Sequence, residues 1–323
     1  MAFYRRLTIV SEILTSAFII SVLVGAIRAG TPLLFATLGE ILTQRAGVLN
    51  LGVEGMMIVG ALTGFMGSYY SHSPWIGVLV AMICAGLVSV LHGFLCITLK
   101  SDQVISGITI VLLGIGLTSF IGEAMVGKTG YGFEPLHFPF FSDIPFLGPV
   151  LFRYNILVYL AVFLVLLLWW FLFKTRIGLE IIAVGENPAT ADTLGISVDR
   201  IQYLCVFLGG MLAGLGGSFL SLAYTRIWID QMTAGRGWIA IALVIFAAWT
   251  PQRALIGAYL FGGIEGLQLR LQTAGIGVSH HLLQMMPYAA TILVLLFSAR
   301  ESFRRRMGAP EALMKPYMRG RRE

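Results

Sequence analysis

The stretch YNILVYLAVFLVLLLWWFLF, residues 154–173, carries no charged side chain and is closed off by Arg153 and Lys174. About 20 mainly apolar residues are what a helix needs to cross a hydrocarbon core about 30 Å thick. The run is too long for one strand and too evenly apolar for a surface helix of a water-soluble domain, so it is predicted to span a bilayer. Outward from it, further apolar runs fall at 8–28, 31–44, 52–70, 75–99, 103–123, 200–224, 236–250, 252–271 and 282–299, separated by charge, proline or glycine. The predicted fold is therefore all-α: a polytopic membrane protein of about ten transmembrane helices. The run 31–44 is short for a straight span and ends in Thr43-Gln44-Arg45-Ala46-Gly47. It reads either as a span of its own or as half of a broken helix that continues into 52–70.

Composition agrees. Of 323 residues 57% are hydrophobic and only 12% are charged, whereas a soluble domain carries about 25% charged residues. Ten spans would use about 200 residues and leave about 120 for loops, a connector and tails. The net charge of +6 does not point to nucleic acid, because the basic residues lie between apolar runs. With the N-terminus inside, 16 of the 22 Lys and Arg face the inner side, among them Arg45, Lys100, Lys174, Arg176, Arg200 and the tail after Arg300. Arg28, Lys128, Arg153, Arg226, Arg236 and Arg270 remain outside. Basic loops resist translocation, so both termini are expected in the cytoplasm. The basic start followed by an apolar run has the charge order of a signal peptide, but no small-residue cleavage site is clear, and a retained first helix is expected.

Several patterns are discounted. Gly122-Glu-Ala-Met-Val-Gly127-Lys128-Thr129 spells the P-loop consensus, yet that loop needs a strand before it and a helix after it to cradle phosphate. Here an apolar helix precedes and an aromatic, proline-rich loop follows. Cys84, Cys96 and Cys205 all sit in apolar runs without metal or redox spacing. The five histidines include His280-His281, adjacent positions that do not share a helix face. With no HExxH, GxSxG or CxxC present, neither a catalytic centre nor a metal site is expected.

Two segments outside the apolar runs are informative. Residues 124–153 form an outer loop rich in aromatics and proline, read as an interfacial belt or as a docking surface for an external protein. Residues 174–200 form an inner connector that encodes a short helix: Asn187 is a natural N-cap, Pro188 suits the first helical position, and Gly195 can take the left-handed conformation that ends a helix. Only about two turns lie between, and so short a helix is marginal unless something receives it. Gly60-x-x-x-Gly64-x-x-Gly67-Ser68 and Gly210-x-x-x-Gly214-x-x-Gly217-Ser218 echo each other at a spacing of 150. They read as close-packing faces or as a trace of an internal repeat.

Ionisable groups inside spans tend to face a cavity or a partner. Glu12, Glu40, Glu54, Glu123 and Glu265 qualify, and Glu54 and Glu265 lie in glycine-rich settings of the kind found in broken helices. Asn50, Glu54, Glu265 and Gln268 are the candidates for the substrate path. The alternative for the two carboxylates is ion pairing with Arg45 and Arg270.

The stretch Gly39-Glu40, Arg45-Ala-Gly-Val-Leu-Asn50-Leu-Gly-Val-Glu54-Gly-Met56-Met57 resembles the permease subunits of bacterial ABC importers. The group is the nucleoside type, related to ribose and branched-chain amino acid permeases. Ala183-Val-Gly-Glu186-Asn187-Pro188-Ala-Thr-Ala-Asp192-Thr-Leu194-Gly195-Ile196 and Gly237-Trp-Ile-Ala-Ile-Ala-Leu-Val-Ile-Phe246 agree with it, and the likeness covers roughly residues 30–300. Phe246-Ala247-Ala248-Trp249 departs from relatives that carry glycine or a basic residue before the Trp. The resemblance implies a transport subunit, not an enzyme, in the bacterial plasma membrane. It gives a coupling role to Glu186, Asn187, Pro188, Asp192, Leu194 and Gly195. It also implies two cytoplasmic ATP-binding subunits that hold ATP and Mg, a second homologous permease subunit, an external substrate-binding lipoprotein and surrounding lipid, with no cofactor in this chain. On this reading residues 1–300 are the permease domain and 301–323 a basic cytoplasmic tail. Sugar or branched-chain amino acid transport, and ion-driven secondary transport, are the alternatives to nucleoside import.

Overall fold

The computed structural model describes residues 16–273, 279–298 and 308–317. In chain order the helices are α1 (Ser16–Arg45), α2 (Val53–Ser71), α3 (Pro74–Gly93, continued by a π-type turn, Phe94–Thr98) and α4 (Gln103–Gly122). There follow α5 (Leu147–Leu151), α6 (Ile156–Lys174), α7 (Arg176–Glu186), α8 (Pro188–Thr193) and α9 (Val198–Phe219, continued by Leu220–Tyr224). The last are α10 (Arg236–Phe246), α11 (Pro251–Thr273), α12 (His280–Gln284) and α13 (Met286–Ser298). The all-α fold is as expected; the described residues contain no named strand, only one isolated bridge between Thr129 and Ile227.

The count of ten is not confirmed by the described residues. Among the described residues five helices are long and apolar enough to cross a bilayer: α1, α3, α4, α6 and α9, the α3, α4 and α9 spans including their terminal turns. The runs 8–28 and 31–44 are not separate spans, because α1 continues unbroken through Pro32. Proline removes one N–H, but neighbouring helices and hydroxyl side chains can satisfy the backbone around it, and Thr31 Oγ1 donates to Ile27 O at 2.7 Å. The broken-helix reading of 31–70 does not hold in that form either: α1 ends at Arg45 and α2 starts afresh at Val53 after a loop. Residues 1–15, which include the N-terminus expected inside, lie outside the described residues, as do 299–307. The run 236–250 contains an 11-residue helix, about 16 Å long and so roughly half a bilayer.

Helix α9 is the hub. The α9 span has 72% of its apolar window buried, against 33% for those of α4 and α6. On α3, α4 and α6 the large side chains Leu79, Leu87, Ile105, Leu112, Phe120, Leu166 and Trp170 stay exposed, an apolar surface that fits lipid and not water. This is a multi-pass membrane protein. The two echoing glycine stretches turn out to be two faces of one crossing, between α2 and α9: a methyl group placed on Gly60 would meet Gly214 Cα at 2.5 Å, and one on Gly64 would meet Ser218 Cβ at 2.9 Å. In lipid, where association rests on close packing, such backbone approach is what small residues allow. The P-loop look-alike is the end of α4, a 3-10 turn at Glu123–Met125 and a loop in which Lys128 Nζ sits 5.1 Å from the Tyr69 ring centre.

Gly60→Val is expected to cost about 2 kcal/mol by overpacking. Gly116→Val on α4, where an added carbon meets nothing within 4 Å, should be tolerated. Thermal unfolding of the two purified variants in one detergent checks the order, and equal midpoints would contradict it.

A candidate coupling and substrate-path site

Two carboxylates singled out by sequence converge on one turn. Between α9 and α10 the chain passes Trp228, Asp230 and Thr233 before α10 opens at Arg236. Ser119, near the end of α4, donates to Asp230 at 2.8 Å. Residues Gln231, Ala234 and Gly235 all have left-handed backbones (φ 52°, 48° and 81°), a density of unusual conformations that only an over-determined turn sustains.

Glu54 supplies that determination. It is 5% exposed and accepts three hydrogen bonds: from Thr233 Oγ1 at 2.5 Å, Gly235 N at 2.9 Å and Gly237 N at 2.6 Å. A carboxylate on the first amides of α10 satisfies donors that have no partner within the helix and opposes the positive end of its dipole. From the other side Arg236 donates to Met232 O at 3.2 Å and Thr233 O at 3.3 Å and pairs with Glu265 of α11. Neither pairing proposed from sequence forms. Arg45 instead donates to Trp249 O (3.3 and 3.2 Å) and Gly308 O (3.2 Å), and Arg270 is exposed. The counter-ion pairings with Arg45 and Arg270 therefore give way to a latch on the start of a half-length helix.

Asn50 and Gln268 do not join that turn in the same manner. Asn50 Oδ1 caps its own loop at Gly52 N (2.9 Å) and its Nδ2 lies 3.2 Å from Met56 Sδ. Gln268 is buried on α11, three residues beyond Glu265. A relay that sequence reasoning missed runs beside them. Glu40 Oε1 accepts from Asn50 N (3.0 Å) and Gln44 Nε2 (2.8 Å), and Gln44 Oε1 accepts from Trp249 Nε1 (2.6 Å). The loop 46–52 is pinned further by His92, whose Nε2 is 3.1 Å from Leu49 O, by Gln103 accepting from Leu49 N at 2.7 Å, and by Gln202 donating to Ala46 O at 3.2 Å. Glu40 and Gln44 lie four residues apart, a helical spacing that carried the signal. Trp249 is 205 residues from Gln44 and gave none.

The connector lies at the foot of the same assembly, with Gly185 packed directly on Arg45 O. Helix α8 is capped as its residues predict. Asn187 Oδ1 accepts from Thr190 N at 2.9 Å, Pro188 takes the first position, and Gly195 has φ 84°. Ile196 N donates to Ala191 O at 3.1 Å and Gly195 N to Asp192 O at 3.0 Å, the paired bonds of a Schellman ending. Between these caps Leu194 stands 75% exposed. Glu186 lies within coulombic reach of Arg45, and Asp192 accepts from Tyr317 at 3.0 Å. Two cavities open at the other end of the bundle: one of about 580 Å³ among Tyr69, Tyr70, His72 and Tyr131, and one of about 270 Å³ among Arg28, Arg153, Tyr154 and Arg226. Neither is lined by the four substrate-path candidates.

Glu54→Ala strands three donors and is expected to destabilise the protein by about 3 kcal/mol, with a smaller loss for Glu265→Ala, whose ion pair is partly exposed (13% and 22% for the two side chains). Thermal unfolding of both variants tests the ranking, and a larger loss at Glu265 would overturn the latch.

The family described as "Branched-chain amino acid transport system / permease component" matches residues 18–295. A protein of Haloferax volcanii named "Putative glucose ABC transporter permease protein TsgC13" is 43% identical, over 94% of this chain and 99% of its own. The guanosine ABC transporter permease protein NupQ of Bacillus subtilis is 34% identical over 94% and 98%. The nucleoside ABC transporter permease protein NupC of Lactococcus lactis is 35% identical over 82% and 88%. In each of these organisms a second ABC permease protein also matches, at 22% to 26% identity. No solved structure matches the chain. The chain belongs to the ABC transporter permeases of the branched-chain amino acid transport system permease family.

Proposed function

We propose that this chain is one permease subunit of an ATP-driven importer that carries nucleosides inward across a bacterial plasma membrane. The observation that carries the ATP-driven part is the connector: a two-turn helix capped at both ends and presenting one exposed leucine, joined directly to α7, whose Gly185 packs on the foot of α1. A helix of that length gains little from its own backbone bonds, so its elaborate capping is best explained by a partner that grips it. Cytoplasmic ATP-binding subunits are that partner, and they bind ATP and Mg. Glu186, Asn187, Pro188, Asp192, Leu194 and Gly195 form the gripped element. On this reading the connector face lies inside the cell, together with Lys100, whose ammonium lies 3.7 Å from Asp199.

The partners follow the same logic. In three organisms a second ABC permease also matches this chain, which supports pairing with a homologous subunit. An external binding lipoprotein delivers the solute to the opposite face. Closing of the ATPases displaces α8. The displacement reaches α1 through the Gly185 contact, and the α10–α11 junction through Arg45 and Trp249. The half-length helix α10, latched by Glu54 at its upper end and held by Gln44 at its lower end, is the element that such a movement can tilt beside the path. Asn50, Glu54, Glu265 and Gln268 then border the path, with the two carboxylates shaping it.

The nucleoside assignment is supported by the names of NupQ and NupC. A sugar is the second reading, favoured by the Haloferax relative. Uptake of labelled guanosine, thymidine, ribose, glucose and leucine is to be measured in proteoliposomes holding this chain with its cognate ATPase, second permease and binding protein. ATP-dependent nucleoside uptake is the expected result, and uptake of glucose alone would replace the substrate. Leu194→Asp should abolish ATP-dependent uptake at normal membrane abundance, and unchanged uptake would remove the coupling role from α8.

A further inference from the structure

Residues 308–317 are not a free tail. They form a tight turn, with Leu313 N donating to Pro310 O at 3.2 Å and Lys315 N to Ala312 O at 3.1 Å, and this turn lies across the connector. Three hydrogen bonds tie it to three different elements. Arg45 at the end of α1 donates to Gly308 O at 3.2 Å. Ala312 N donates to Gly185 O near the end of α7 at 2.9 Å. Tyr317 donates its phenol to Asp192 Oδ2 on α8 at 3.0 Å. Apolar packing backs each tie: Ala312 is 7% exposed and sits over Gly47, Leu313 packs on the main core, and the Tyr317 ring joins Val184, Ala191 and Val198.

The placement matters because α8 has only six residues and its one buried side chain, Ala191, packs on Val184 of α7 and Val198 of α9. Arg45 also holds Trp249 O, at the junction of α10 and α11. One short segment thus bridges the helix offered to the ATPase and the node from which α10 and α11 depart. We propose that residues 308–317 are a strap that holds α8 in its docking pose, and that Tyr317 is a positioning residue for coupling, acting through Asp192. This rests on the coupling reading of α8. The tie is a charge-assisted hydrogen bond from a ring already packed in place, so removing the hydroxyl alone tests the bond and spares the packing.

The experiment is a titration of cognate ATPase subunit into proteoliposomes containing the complete permease pair and binding protein, read as ATP-dependent uptake. Tyr317→Phe should raise the ATPase concentration for half-maximal uptake about fivefold, the weight of one net hydrogen bond in the population of the docking pose. Maximal uptake and thermal unfolding should stay at wild-type values, a pattern that a merely structural role would not produce. Tyr317→Ala should shift it further. Wild-type titration curves for Tyr317→Phe, or a loss of unfolding temperature that accounts for its whole defect, would overturn the strap. If Leu194→Asp also leaves uptake intact, the coupling reading of α8 fails. If Leu194→Asp abolishes uptake while both Tyr317 variants titrate normally, the strap alone fails.

Discussion

A buried carboxylate on the first turn of a half-length helix is the constraint on which this architecture turns. Helix α10 starts at a partly buried turn in which Thr233 and Gly237 are buried, and an unsatisfied backbone group away from water costs several kcal/mol. Glu54 meets the Gly235 and Gly237 amides and the Thr233 hydroxyl with one side chain. In return those donors and the helix dipole stabilise a charge that the membrane interior would otherwise reject. Each partner is costly alone and acceptable together, which explains how α10 can begin where it does.

From that latch the structure builds downward. Eleven residues of α10 lead to Trp249, which is gripped by Gln44 and Arg45 of α1. Glu40 ties the same α1 surface to the loop before α2, and α2 begins with Glu54's own turn. The result is a closed mechanical circuit: α1, loop 46–52, Glu54, α10, Trp249 and back to α1. The connector and the strap attach where this circuit reaches the inner face. A push on α8 therefore bears on a unit whose hydrogen bonds are mutually dependent, and not on a single flexible helix.

Much of this was legible in the residues. The apolar run at 154–173 became α6, and Asn187, Pro188 and Gly195 shaped α8 by local rules that need no tertiary information. The glycine-rich settings of Glu54 and Glu265 singled them out as candidates, and both reach the turn at Thr233–Gly237. Their partners were not legible, because those bonds span 179 to 183 residues for Glu54, and Arg45, the nearest opposite charge in sequence, was the natural but mistaken choice. The apolar pattern breaks between 28 and 31, which marks the boundary of two runs, 8–28 and 31–44. In the fold Arg28 lies 5.7 Å from the Tyr224 ring centre and α1 runs on through that boundary. Tyr317 sat in a basic tail with no periodicity, so nothing local announced its contact with Asp192.

The most direct test of the account is hydrogen exchange, followed by mass spectrometry, of the peptide spanning residues 230–240 in the purified protein and in Glu54→Ala. The latch predicts slow exchange at Gly235 and Gly237 in the native chain and rapid exchange in the variant, with α6 unaffected. Equal protection of that peptide in both proteins would contradict it and would mean that α10 holds its place without Glu54.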